Sequence, residues 1–226
     1  MMKARVAVLI SGRGSNLAAL VEAAKRRSYP AEIALVLSNR PAAAGLSHAQ
    51  AASVPTGVID HVPYHGDRER FEHAIEEVLE RYRIDIVCLA GFMRVLTASF
   101  IKRWEGRMLN VHPSLLPAFK GLDTHGRALA AGVKVHGATI HFVAAGVDDG
   151  PIVAQGALAV HDQDTPETLA NRVLEIEHRI YPMALGLLAA GRLELREGRC
   201  VIGRQTTDDR GQATGTVIIS PLISDV

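Results

Sequence analysis

The sequence predicts an α/β fold: a mostly parallel central sheet with helices on both faces and a mixed C-terminal half. Three observations predict it. Through the first half of the chain, short apolar runs rich in β-branched residues alternate with amphipathic stretches of helical period. That alternation builds parallel βαβ units and a doubly wound sheet, whose ligands gather at the carboxyl ends of the strands. Further on, strand-like runs are separated by loops rather than long helices. Finally, 226 residues with 48% hydrophobic and 22% charged side chains can bury enough surface to offset their ordering entropy, which excludes a disordered chain.

Taken in order, Val6–Ile10 reads as a buried strand. Lys3 and Arg5 ahead of it give a superficial likeness to a signal peptide, but the apolar run is five residues long and enters Ser11-Gly12-Arg13. A helix is expected from Ser15 to about Arg27, a strand over Ile33–Leu37 and a weaker one over Thr56–Ile59. Asp67 to about Tyr82 reads as a charged amphipathic helix with Phe71, Ile75, Val78 and Leu79 on one face. Strands are expected at Ile84–Leu89, Met108–Val111, Ala138–Val143 and Ile152–Val160. Asp164 or Thr165 can cap a helix beginning at Pro166, with Leu169, Val173, Ile176 and Ile180 as its core stripe. Pro182 should kink or end it. Residues 1–203 are expected to form one domain. The polar, Gly-rich residues 204–226 read as a tail, an edge strand at Val217-Ile218-Ile219 or a mobile appendage.

Composition narrows the function. With 25 Lys+Arg against 24 Asp+Glu the net charge is +1, without the basic excess of a general nucleic-acid binder. No apolar run approaches the roughly 18 residues of a membrane span. Cys88 and Cys200 make neither a disulfide framework nor a zinc module, and reduced thiols of a cytoplasmic protein are the expectation.

Ser11-Gly12-Arg13-Gly14-Ser15-Asn16 lies between the first strand and the first helix. Glycines let backbone approach a ligand, and the N–H groups of a helix start attract anions. Leu17 stands where a dinucleotide fingerprint needs Gly or Ala, and no Gly-Lys-Ser/Thr of a triphosphate loop is present. Ser15 and Asn16 add donors suited to a single phosphate. The loop reads equally as a phosphate cradle or as a tight βα turn with Ser15 as N-cap.

The strongest signal is Asn110-Val111-His112-Pro113-Ser114-Leu115-Leu116-Pro117. Two apart on a strand, Asn110 and His112 share a face, and Pro113 should place them at its carboxyl end. An amide and an imidazole can stabilise an oxyanion and move a proton near neutral pH. The turn Val147-Asp148-Asp149-Gly150-Pro151 offers carboxylates that could orient the imidazole, though adjacent aspartates before Gly-Pro also suit an ordinary turn. Asp123, His125, His136 and His141 match no metal-ligand spacing, so separate hydrogen-bonding roles are expected and no metal. There is no Gly-x-Ser-x-Gly nucleophile motif, and Cys88 lies within an apolar strand. Direct transfer through a tetrahedral intermediate fits this inventory better than a covalent enzyme intermediate.

Together with Leu89-Ala90-Gly91-Phe92-Met93-Arg94-Val95-Leu96, Thr124-His125, His136-Gly137-Ala138-Thr139-Ile140-His141 and Glu177-His178-Arg179-Ile180-Tyr181-Pro182, these motifs give nearly the whole chain a likeness. It resembles the phosphoribosylglycinamide formyltransferases, a family of folate-dependent formyltransferases. The Asn-x-His-Pro block alone marks the wider formyl-folate superfamily, and the N-terminal glycine loop narrows it. The resemblance implies a Rossmann-like formyltransferase fold and a step of purine synthesis: transfer of the formyl group of the co-substrate N10-formyltetrahydrofolate to glycinamide ribonucleotide.

Carried over by position, the resemblance implies Asn110, His112 and Asp148 as the catalytic trio, with His141 supporting them. Gly14, Ser15 and Asn16 would hold the substrate phosphate, and Glu177 its ribose or nearby polar groups. Met93, Arg94, Val95 and Leu96 would line the folate pocket, with Asn110, and with Ala144, Ala145, Gly146, Val147 and Asp148 closing its side. Arg68 matches a folate-contacting arginine, with Arg70 two residues away as a competitor. Asp149 stands where the family often has glycine, and alignment by Gly150-Pro151 gives the catalytic role to Asp148. Arg13 occupies a variable loop position. Small-molecule partners only are expected, without nucleic acid or membrane, in a protein compatible with a homodimer. Two alternatives follow. A formyltetrahydrofolate deformylase would carry an extra N-terminal domain, for which no room is expected here. A non-catalytic phosphometabolite binder would retain only the fold.

Overall fold

The computed structural model describes residues 2–203 and 218–219. It divides into two compact units, residues 1–110 with 142–145 and residues 111–141 with 146–226. The first unit contains β1 (Ala4–Ile10), α1 (Ser15–Ala24), β2 (Ala31–Ser38), α2 (Gly45–Ala51), β3 (Thr56–Val58), a 3₁₀ turn (Val62–Tyr64), α3 (Arg68–Arg81), β4 (Ile86–Leu89), α4 (Ala98–Arg103) and the opening of β5 (Met108–His112). Its strands pair in parallel in the order β5-β4-β1-β2-β3. The central strand β1 has no exposed surface from Val6 to Ile10. A strand covered on both faces needs that unbroken apolar run.

α3 lays Phe71, Ile75 and Leu79 against Leu35, Leu37, Val87, Leu89, Phe100 and Trp104, as its periodicity predicts. Each such burial is worth roughly 2 kcal/mol. The Asp67 carboxylate caps the helix by accepting the Arg70 N–H at 3.1 Å. Two acids on α3 turn inward instead of facing solvent. Glu72 accepts the Thr97 N–H at 2.6 Å and the Thr97 hydroxyl, and Glu76 accepts the indole N–H of Trp104 at 3.1 Å. α2, the 3₁₀ turn and α4 are absent from the sequence expectation, because segments this short carry too few turns to show a period.

The second unit holds the end of β5, α5 (Thr124–Ala130), β6 (Val135–Phe142), β7 (Ile152–Ala159), α6 (Pro166–Ala189), β8 (Leu193–Arg196), β9 (Arg199–Ile202) and β10 (Ile218–Ile219). β6 and β7 run antiparallel and β10 lies parallel beside β7, which makes this half mixed. β10 is the one part of the tail among the described residues; the expectation for the rest of the tail lies outside them. β8 and β9 form an unexpected hairpin through Glu197 and Gly198, both at positive φ as a two-residue turn demands.

Thr165 caps α6, with Thr168 completing a capping box and Pro166 in the first turn. Asp164 instead accepts from Arg172 at 2.6 Å. Of the two outcomes expected at Pro182, a kink or an end, the end does not occur: α6 runs on to Ala189. Apolar burial continues past the proline at Ala184 and Leu185, and this offsets the one backbone bond a proline cannot make. Gly156 of β7 has no room for a Cβ, which would strike Ile176, so the glycine lets α6 lie close on the strand. No helix among the described residues is long and apolar enough to cross a membrane.

Candidate active site

In the first unit the glycine loop leaves β1 and enters α1. Gly14, not Ser15, is the N-cap: its φ is 78°, and no side chain caps the helix. A Cβ there would sit 2.5 Å from Gly45 Cα, so the crossing with the start of α2 requires glycine. Gly45 N–H donates to the Gly12 carbonyl at 3.0 Å and fixes that crossing. Ser15 opens α1, Asn16 is buried in its first turn, and that turn contains no acidic residue. Such a helix start favours an anion. Arg13 faces solvent.

Ser11 joins this loop to a second one. Its hydroxyl donates to Asn39 Oδ1 at 2.5 Å and accepts the Met93 N–H at 2.8 Å. In that second loop Met93 and Val95 are about three-fifths exposed, Arg94 is half-buried, and Leu96 is packed in the core of the unit. Arg68 is exposed at the start of α3. Ala144 and Ala145 belong to this unit, whereas Gly146, Val147 and Asp148 belong to the other.

The second unit gathers His112, Asp148 and His141, whereas Asn110 belongs to the first. β5 carries Asn110 and, two residues on, His112 at its carboxyl end. His112 Nδ1 lies 3.2 Å from Asp148 Oδ2, and its Nε2 lies 3.0 Å from the Phe119 carbonyl. Both ring nitrogens thus face oxygen acceptors, an arrangement both can satisfy as donors. His141 on β6 brings Nε2 to 3.8 Å from Asp148 Oδ1. Asp148 Oδ2 also accepts the Gly121 N–H at 2.9 Å. The three side chains are 6%, 12% and 3% exposed for His112, Asp148 and His141, so water screens them little. Asp148 sits at φ 51°, a left-handed conformation that aspartate tolerates better than most residues.

Its neighbour Asp149 turns the other way and pairs with Lys120. The Lys120 ammonium holds the Asp149 carboxyl below the usual carboxylate range. Below the cluster, His136 Nε2 and His125 Nδ1 meet at 3.3 Å. Burial, then the neighbouring His125, pushes the His136 pKa down to about 4, and burial lowers His125 as well. Among the described residues no three His, Cys, Asp or Glu side chains gather as metal ligands. Glu177 is buried on α6 at 7% exposure, which rules out a freely solvated glutamate.

The segment after His112 is held by buried hydrogen bonds. The Thr139 hydroxyl donates to the Ser114 carbonyl at 2.6 Å and accepts the Leu116 N–H at 3.0 Å, while Gln155 donates to the Leu116 carbonyl at 2.9 Å. The Leu116-Pro117 peptide is cis. Sequence reasoning missed the Phe119 carbonyl, the Gly121 amide and Lys120. Backbone groups have no sequence signature, and Lys120 lies 29 residues from its partner.

The family model described as formyl transferase matches residues 4–185. A trifunctional purine biosynthetic protein adenosine-3 from Homo sapiens is 53% identical over 195 residues, 86% of this chain and 19% of that protein. The chain therefore spans about a fifth of the length of the trifunctional relatives it matches. A phosphoribosylglycinamide formyltransferase from Haemophilus influenzae is 38% identical over 209 residues, covering 92% of this chain and 98% of the relative. The crystal structure of glycinamide ribonucleotide transformylase 1 from Symbiobacterium toebii superposes with a TM-score of 0.86 at 45% identity, covering 89% of this chain and 95% of that one. A match running from the first strand into the last long helix, with a relative aligned almost end to end, places this chain in the formyl transferase family.

Proposed function

We propose that this chain transfers the formyl group of N10-formyltetrahydrofolate to the amine of glycinamide ribonucleotide. The observation that carries the reading is the His112–Asp148 pair, 3.2 Å apart and nearly dry, at the carboxyl end of β5 in a formyl transferase chain. The amine lone pair attacks the formyl carbon and the carbonyl oxygen becomes an oxyanion. His112 stabilises that charge through Nε2–H, in place of its bond to the Phe119 carbonyl, and the Asn110 amide on the same strand assists. Asp148 keeps the imidazole oriented and balances its charge, and His141 supports Asp148. Collapse of the intermediate breaks the bond from carbon to N10. The proton lost by the amine goes to N10, giving tetrahydrofolate and the formylated amide.

Substrate binding follows the resemblance. The uncapped start of α1 with Gly14, Ser15 and Asn16 suits one phosphate, and Glu177 suits the ribose. The exposed apolar Met93 and Val95, with backbone groups from Arg94 to Leu96, suit a flat folate ring, and the resemblance adds Arg68 and residues 144–148 as folate contacts. Following folate product with and without glycinamide ribonucleotide tests the reading. Product strictly dependent on the acceptor supports it. Product without acceptor means transfer to water, and no turnover with retained binding means a non-catalytic module.

A further inference from the structure

Two consecutive residues of one loop meet two consecutive residues of another. Gly121 N–H donates to Asp148 Oδ2 at 2.9 Å, and next to it the Lys120 ammonium pairs with Asp149. Lys120 is anchored from behind, since Arg127 Nη1 on α5 donates to the Lys120 carbonyl at 2.6 Å and to the Leu122 carbonyl at 3.2 Å. On the other side, a Cβ at Gly146 would lie 2.8 Å from Asp149 Cβ, so the backbone of residue 146 passes close beside Asp149. The Lys120 and Asp149 side chains are 37% and 64% exposed, and an ion pair this wet contributes little to stability.

We propose that Lys120 and Asp149 are positioning residues, a clasp that keeps the Gly121 amide on the Asp148 carboxylate and that carboxylate on His112 Nδ1. The proposal rests on the formyl-transfer reading of the site. It divides the labour of the adjacent acids, Asp148 meeting the imidazole and Asp149 holding the turn.

The test compares Lys120→Ala, Asp149→Asn, the double variant, Lys120→Arg and the exchanged pair Lys120→Glu with Asp149→Lys, all in the full chain. Steady-state kinetics and amide hydrogen exchange at Gly121 are measured for each. Losing the clasp should lower kcat about three- to tenfold and leave KM for the ribonucleotide within about twofold. The double variant should be no worse than either single one, as expected of two ends of one interaction. Lys120→Arg and the exchanged pair should recover most of kcat, and Gly121 exchange should quicken in the uncharged variants only. Unchanged kcat and exchange in Lys120→Ala would overturn the clasp, as would losses that multiply in the double variant or an exchanged pair that recovers nothing. A wild-type chain without turnover would refute formyl transfer instead, and Gly121 exchange would still decide the clasp.

Discussion

Replacing Asp148 by Asn removes one charge while preserving shape. Asparagine also tolerates the left-handed backbone found there, φ 51°, so the turn itself is not strained by the change. The carboxylate lies 3.2 Å from His112 Nδ1 with both side chains close to dry. At an effective dielectric constant near 20, opposite unit charges at that separation attract by ~5 kcal/mol. The amide oxygen of the substituted side chain would still accept a hydrogen bond and return part of this, leaving a deficit of ~4 kcal/mol in a transition state that needs a charged imidazole, about a thousandfold in kcat. Asp149→Asn loses only the ion pair with Lys120 and should stay within about tenfold of wild type. The assay is steady-state formation of folate product at saturating substrates, with thermal melts to show that both variants fold. A folded Asp148→Asn variant within tenfold of wild type, or one less damaged than Asp149→Asn, would refute the charge-pairing argument.

His112→Ala should lower kcat by at least about a hundredfold with KM changed only a few-fold, because the imidazole acts on charge that develops in the transition state; unchanged kcat would remove His112 from the mechanism. Gly14→Ala forces a Cβ to 2.5 Å from Gly45 Cα at a φ of 78°, and should cost about 1–3 kcal/mol in urea unfolding while raising KM for the ribonucleotide. Normal stability and KM would show that the crossing is looser than described. His136 has its pKa pushed from 6.5 down to about 4, so between those values the unfolded chain takes up a proton that the folded one refuses. Stability therefore falls as pH drops through that window, by about 2 kcal/mol at pH 5 from this group. His136→Gln should shrink the loss between pH 7.5 and 5 by that amount, and an equal loss in variant and wild type would refute the assignment.

The first unit was the more legible half. Each buried strand is a local apolar run, and α3 repeats its apolar residues every turn, so neighbours along the chain suffice to reveal the element. Pro182 shows where that logic stops. Local chemistry argues for a break, but α6 is held by the burial of Ile180, Tyr181, Ala184 and Leu185 on either side of it. Glu72 and Glu76 fail in the same way: they look like a solvated face until Thr97 and Trp104 supply partners from 25 and 28 residues away.

By itself the sequence determined the parallel α/β order, the glycine loop at the end of β1 and the pair Asn110 and His112 at the end of β5. All three follow from period, turn chemistry and strand alternation, which act over a few residues. Which of the two aspartates lies beside His112 is visible only in the tertiary structure. Asp148 and Asp149 are identical letters in one turn, and backbone path alone aims one at His112 and the other at Lys120. The tertiary structure also decided that Gly14 rather than Ser15 caps α1, and that His125 and His136 meet 3.3 Å apart. These outcomes depend on loops folding back across long sequence separations and on backbone amides and carbonyls that every residue shares.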